Sequence, residues 1–258
     1  MISATIGQQQ KRARFLVTNR HVMDPGFGPT GDVTKGQDDL LVIGHRQVTV
    51  TYGDIPPPTL TKVAFSELQP IYPQDPSLDI ALVPVDDAPK RVIQGDGYFN
   101  TFNETLIAPP WSYADGDIHP GMQVLAAGYP VFEQCEPPTR PIFAGGIVAS
   151  DPRYPAEFGG NAHSDVVLCH AFSKSGMSGA PVFAAIRERR ELDRSSPERT
   201  LKIIGINAGH MKTSNESTDG VISRFVKATA LLILLAGQGS SWADMMVTLG
   251  RLPESQFE

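Results

Sequence analysis

Gly176-Met177-Ser178-Gly179-Ala180-Pro181 runs straight into the apolar stretch Val182-Phe183-Ala184-Ala185-Ile186. A glycine two residues before the serine permits a backbone turn that few side chains tolerate, and Gly179 and Pro181 carry the chain out of it. The run that follows has the length and composition of a buried strand. A serine hydroxyl is a poor nucleophile at neutral pH, so it needs a neighbouring base and N–H donors for the oxyanion formed on attack. With Gly176 so placed, its own N–H and that of Ser178 can point into one small hole. Taken alone, the hexapeptide also reads as a glycine-rich turn between two strands.

Two stretches upstream decide between these readings. Phe15-Leu16-Val17-Thr18-Asn19-Arg20-His21-Val22 is an apolar strand ending in a polar turn, with a histidine at its tip. Leu78-Asp79-Ile80-Ala81-Leu82-Val83 sets a carboxylate at the start of a strongly apolar strand. A buried carboxylate is costly unless its oxygens are hydrogen-bonded, and a histidine N–H supplies such a bond. A lone histidine beside an apolar run is more often packed or solvated than catalytic. In the order His21, Asp79, Ser178, each at a strand edge, the three point to base, orienting acid and nucleophile. An α/β-hydrolase needs the order serine, acid, histidine on strands that alternate with helices. Here only His210 follows Ser178, the carboxylates between them sit in a charged, loop-like run, and the alternating helices are missing.

These segments resemble the chymotrypsin-like serine proteases, and among them the bacterial HtrA/Deg-type protease domains. The likeness is carried by FLVTNRHV (15–22), LDIALV (78–83), VLAAGYP (124–130), GGIVAS (145–150), SGMSGAPVF (175–183) and IIGINAG (203–209), from about residue 4 to about residue 210. It implies an all-β fold of two antiparallel six-stranded β-barrels with a C-terminal helix. The expected division is an N-terminal barrel over 1–107, a crossover at 108–117, a C-terminal barrel over 118–220, and a helix and tail over 221–258. The implied activity is serine endopeptidase chemistry through an acyl-enzyme, with His21, Asp79 and Ser178 as triad and the Gly176 and Ser178 N–H groups as oxyanion hole. Peptide substrate is expected to add as an extended strand along Asn207-Ala208-Gly209.

The resemblance also implies a specificity pocket walled by Phe172, Ser173 and Lys174 on one side and by Asn207, Ala208, Gly209 and His210 on the other. Phe172 stands where trypsin carries the aspartate that selects basic residues. Gly205-Ile206-Asn207 matches HtrA-type domains, which accept small or medium apolar side chains. Glutamate- and glutamine-selective relatives place a histidine where Asn207 stands, although His170 and His210 leave an acidic reading open.

Composition bounds the remainder. At 258 residues the chain is long enough to bury a substantial core. With 24 glycines, 22 prolines and 19% charged residues it suits many short strands and turns, not a helix bundle. A net charge of −6 gives no reason to expect a nucleic-acid partner. The two cysteines, Cys135 and Cys169, imply no disulfide framework, and Cys169-His170 lacks zinc-ligand spacing, so neither metal nor cofactor is expected. No apolar leader segment opens the chain and no run is long enough to span a bilayer, which leads to the expectation of a soluble cytoplasmic protein with no membrane partner.

Further along, residues 7–12 read as a hairpin tip, and 187–200 as a charged insertion in a hairpin. Trp111 is expected to pack the crossover down. Val221, Phe225, Ala228, Leu232 and Leu235 recur at spacings of three and four, which predicts a helix over 221–236 docked on the second barrel, with a second short helix over 242–249. About fifty residues remain after Gly209, fewer than a PDZ-like domain needs, so the expected activity depends on a protein partner or another gene product. The alternative function is a latent or inactive protease-like domain that binds peptides without cutting them; esterase or acyltransferase chemistry on the same serine ranks behind both.

Overall fold

Short apolar runs interrupted by glycine and proline build strands throughout the computed structural model, which describes residues 1–7, 9–24, 27, 40–46, 59–95, 99–130, 141–171, 173–174, 176–187, 199–211 and 222–250. In the N-terminal half, β1 (Ile2–Ile6) and β2 (Lys11–Thr18) form an antiparallel hairpin with Ile2 opposite Phe15. Its turn uses positive φ at Gly7 and Gln10. A single turn, α1 (Arg20–Met23), follows β2. Next come β3 (Leu40–Arg46), β4 (Thr59–Phe65), β5 (Ala81–Pro84), β6 (Lys90–Gln94) and the two-residue β7 (Phe102–Asn103). They assemble as two sheets, ordered β5-β2-β1-β7 and β3-β4-β6. The sequence predicts one six-stranded barrel here; among the described residues this half forms a four-stranded and a three-stranded sheet. Most of the chain joining β2 to β3 and β3 to β4 lies outside the described residues.

Beyond the one-turn α2 (Trp111–Ala114), six strands close into a barrel: β8 (Gln123–Gly128), β9 (Ile142–Val148), β12 (Val166–Ala171), β13 (Pro181–Arg187), β14 (Arg199–His210) and β15 (Ile222–Lys227). The small hairpin β10 (Ala156–Phe158) and β11 (Asn161–His163) stands apart from that ring. Alternate residues point inward, so Val124, Ala126, Val148, Val167, Val182, Ala184, Ile186, Ile204 and Phe225 fill the interior. Of the charged insertion expected over 187–200, Arg187 ends β13, Arg199 and Thr200 begin β14, and residues 188–198 lie outside the described residues.

The C-terminal segment departs from its sequence pattern. The expected helix over 221–236 is instead strand β15 up to Lys227, and only then helix α3 (Ala228–Gly237), followed by α4 (Ser241–Leu249). Spacings of three and four match residues on a helix, but β15 pairs with both β12 and β14 and so closes the barrel. Ser223 and Phe225 turn inward together, and the Phe225 ring occupies the space left by Gly205, where a Cβ would lie 2.2 Å from it. Barrel closure overrides helical periodicity here.

Nor does α3 dock on the barrel alone. Its Ala228, Ala230, Leu231, Leu232, Leu234 and Leu235 are buried, as expected of a helix apolar nearly all round. They share one core with Ile2, Ala4, Phe15 and Leu82 of the N-terminal half and with Ile203, Ile206 and Val226 of the barrel. The helices are a wedge between the halves. Glu104 reinforces it: one carboxylate oxygen accepts from Thr5 N–H at 2.8 Å, the other from Ser240 Oγ at 2.5 Å. The crossover is held by Tyr113, not by the half-buried Trp111. Its hydroxyl donates to Ile204 O and accepts from Ala228 N–H at 2.9 Å, and burial pushes the phenol's pKa well above its ordinary value. No helix among the described residues is long and apolar enough to cross a membrane.

Candidate active site

Strand pairing delivers the first two side chains. Thr18 lies opposite Ala81 in the β2–β5 ladder, so the residues just past one strand end meet those just before the other. Asp79 therefore sits beside the 19–21 turn. Its Oδ1 accepts from His21 N–H at 3.0 Å, its Oδ2 lies 2.7 Å from His21 Nδ1, and its main-chain oxygen accepts from Asn19 Nδ2 at 2.7 Å. Only 7% exposed, the carboxylate is supplied with the partners that burial demands. A proton on Nδ1, facing the carboxylate, leaves Nε2 as the acceptor. That nitrogen lies 3.0 Å from Ser178 Oγ.

Arg20 steadies the turn from outside. Its Nε meets Asp24 Oδ2 at 3.1 Å, and its guanidinium carbon lies 4.7 Å from the Tyr72 ring centre and 5.0 Å from that of Phe27. Burial, then the Asp24 charge, raises the pKa of Tyr72.

Ser178 reaches His21 from the barrel. Met177 N–H donates to Lys174 O at 2.9 Å, closing a turn in which Gly176 takes φ +87°, and the Met177 side chain is buried in the barrel core. Gly179 takes φ +80°, and its N–H donates to Asn207 O at 3.0 Å. A Cβ on Gly179 would stand 2.8 Å from Thr18 Oγ1, so the missing side chain lets the serine turn touch β2 three residues before His21. Among the described residues, the N–H groups of Gly176 and Ser178 donate to no backbone carbonyl.

The expected pocket residues divide. Asn207 is 3% exposed, and its Nδ2 donates to Met177 O at 2.8 Å and to Ser173 Oγ at 3.1 Å. Both side chains are thus committed to bracing the serine turn. Ala208 is buried, Gly209 is half-buried at φ +100°, Lys174 is half-buried, and His210 and His170 are exposed. Phe172 lies outside the described residues.

Sequence reasoning missed two contributors. Asn19 is wholly buried and tied to Asp79, although an asparagine at a strand end carries the same signature as any turn residue. Thr18 backs Gly179 through a contact that no sequence pattern encodes.

Residues 5–188 match the family model described as a trypsin-like peptidase domain, a span that takes in all three converging side chains. No curated protein matches the chain.

Proposed function

We propose that this chain, which belongs to the trypsin-like peptidase family, is a serine endopeptidase working through His21, Asp79 and Ser178. The observation that carries the reading is the unbroken line from Asp79 Oδ2 to His21 Nδ1 at 2.7 Å and from His21 Nε2 to Ser178 Oγ at 3.0 Å. In the proposed reaction Ser178 Oγ attacks the peptide carbonyl carbon as its proton passes to His21 Nε2. Asp79 keeps the ring in the tautomer that can accept, and stabilises the imidazolium that results. The N–H groups of Gly176 and Ser178 receive the oxyanion, each worth about 3 kcal/mol in comparable sites. His21 then returns its proton to the departing amine, leaving an ester on Ser178. Water enters, gives a proton to His21, and releases the new carboxyl end as the proton returns to Oγ.

Cleavage of a diverse peptide pool, followed by mass spectrometry, tests this. The chain is expected to cut internal peptide bonds. Ser178→Ala is expected to lose cutting by at least about a thousandfold while keeping its circular dichroism and thermal midpoint. Undiminished cutting by Ser178→Ala contradicts the assignment.

A further inference from the structure

β14 and β15 fall out of step beside the serine turn. Asn207 pairs with Phe225 and His210 with Ser223, so Ala208 and Gly209 together stand opposite the single residue Arg224. That is a bulge, a device that re-aims backbone and side chains near a site. Ser223 and Phe225 point into the barrel, Ser223 Oγ donating to Ala171 O at 2.9 Å, so Arg224 leaves from the opposite face. There its Nε donates to the freed Ala208 carbonyl at 3.4 Å, and its guanidinium carbon lies 5.3 Å from the Phe158 ring centre. Phe158 in turn stacks on His163 with ring centres 4.1 Å apart, so the β10–β11 hairpin props the cation in place.

The cation is underused. A guanidinium offers five N–H donors, and one is spent on Ala208. Arg14, Arg20 and Arg153 each hold an aspartate, whereas Arg224 has no carboxylate partner among the described residues. It also borders the strand segment that holds the serine turn. Ala208 follows Asn207, whose carbonyl takes the Gly179 N–H and whose own N–H donates to Ala180 O at 2.8 Å. An anchored guanidinium with spare paired donors, beside the strand segment that grips the nucleophile's neighbours, favours a carboxylate and disfavours a cation.

We infer that Arg224 determines specificity, receiving a glutamate or aspartate side chain at the substrate residue just before the cleaved bond. This rests on the endopeptidase reading above, and it replaces the small or medium apolar preference expected from Gly205-Ile206-Asn207. It gives the recognition to Arg224 in place of His170 and His210.

The test uses C-terminally amidated peptides that differ only at that residue. Wild type is expected to cleave after Glu or Asp with kcat/KM about ten- to a hundredfold above Leu, the usual worth of a charged hydrogen bond. Arg224→Gln is expected to level the two, and Arg224→Glu to favour Lys. A wild-type profile led by apolar or basic residues overturns the inference, as does an acidic preference that survives Arg224→Gln. A second arm separates this from a failure of the catalytic reading. Fluorescence anisotropy of the same peptides on Ser178→Ala reads recognition without turnover. Tighter binding of the Glu peptide than the Leu peptide, lost in Ser178→Ala/Arg224→Gln, supports Arg224 even if wild type cuts nothing; equal binding overturns it. Matching peptides that end in a free carboxylate form the last arm, and preferential capture of those over amidated Glu peptides also contradicts a side-chain subsite. Should Arg224→Gln fold poorly, Arg224→Met and Arg224→Lys replace it, the first expected to lose the preference and the second to retain part of it.

Discussion

Asp79 is fixed from two directions: His21 holds its carboxylate through backbone and ring, and Asn19 holds its main-chain oxygen. Burying Asn19 is not free, because its Oδ1 has no partner among the described residues. Its Nδ2 bond is the compensation, and it makes Asn19 a positioning residue for the acid. Asn19→Leu is expected to lower kcat about tenfold or more with KM nearly unchanged, since the bond orients Asp79 and does not touch substrate. Steady-state kinetics on one peptide checks this, and a loss confined to KM speaks against it. His21, Asp79 and Ser178 were legible because each breaks a local rule: a carboxylate in an apolar strand, a histidine at a strand tip, a serine among glycines. Asn19, Thr18 and Arg224 break none. Their roles come from neighbours in space, the Asp79 carbonyl, the absent Gly179 side chain and the Ala208 bulge.

The elements divide on the same ground. β2, β5 and β13 are apolar runs with clear punctuation, and each overlaps the stretch read as a strand, although β2 begins earlier, at Lys11, and β5 later, at Ala81. β15 overlaps no such stretch, because its spacing satisfied a helix while barrel closure demanded a strand. β6 was also missed: all five residues of Lys90–Gln94 are exposed, so no buried alternation marks it. Tyr113 shows how one side chain can join elements, since its hydroxyl serves both β14 and the first N–H of α3. Tyr113→Phe leaves both partners unsatisfied in a buried place and is expected to cost about 1–3 kcal/mol. Urea denaturation measures it. A midpoint equal to wild type would show that these bonds contribute nothing.

Across the whole molecule, His21 and Asp79 come from one half and Ser178 from the other, and the helical wedge packs against both. Leu231 is fully buried in that shared core. Leu231→Ala is expected to destabilise the fold by about 2–5 kcal/mol, and to lower kcat at temperatures where the variant is still folded. An unchanged kcat alongside that loss would show that the wedge stabilises the halves without aligning them. The C-terminal barrel was expected from the family resemblance, while composition pointed only to many short strands and turns; the wedge was not expected, because an apolar run says that it is buried but not against what. The most direct measurement of the convergence between halves is reaction with a fluorophosphonate, which labels only an activated serine, followed by mapping of the adduct. One adduct is expected, on Ser178, with labelling slowed by at least about a hundredfold in His21→Ala. No adduct in wild type, or equal labelling rates in wild type and His21→Ala, would contradict that convergence.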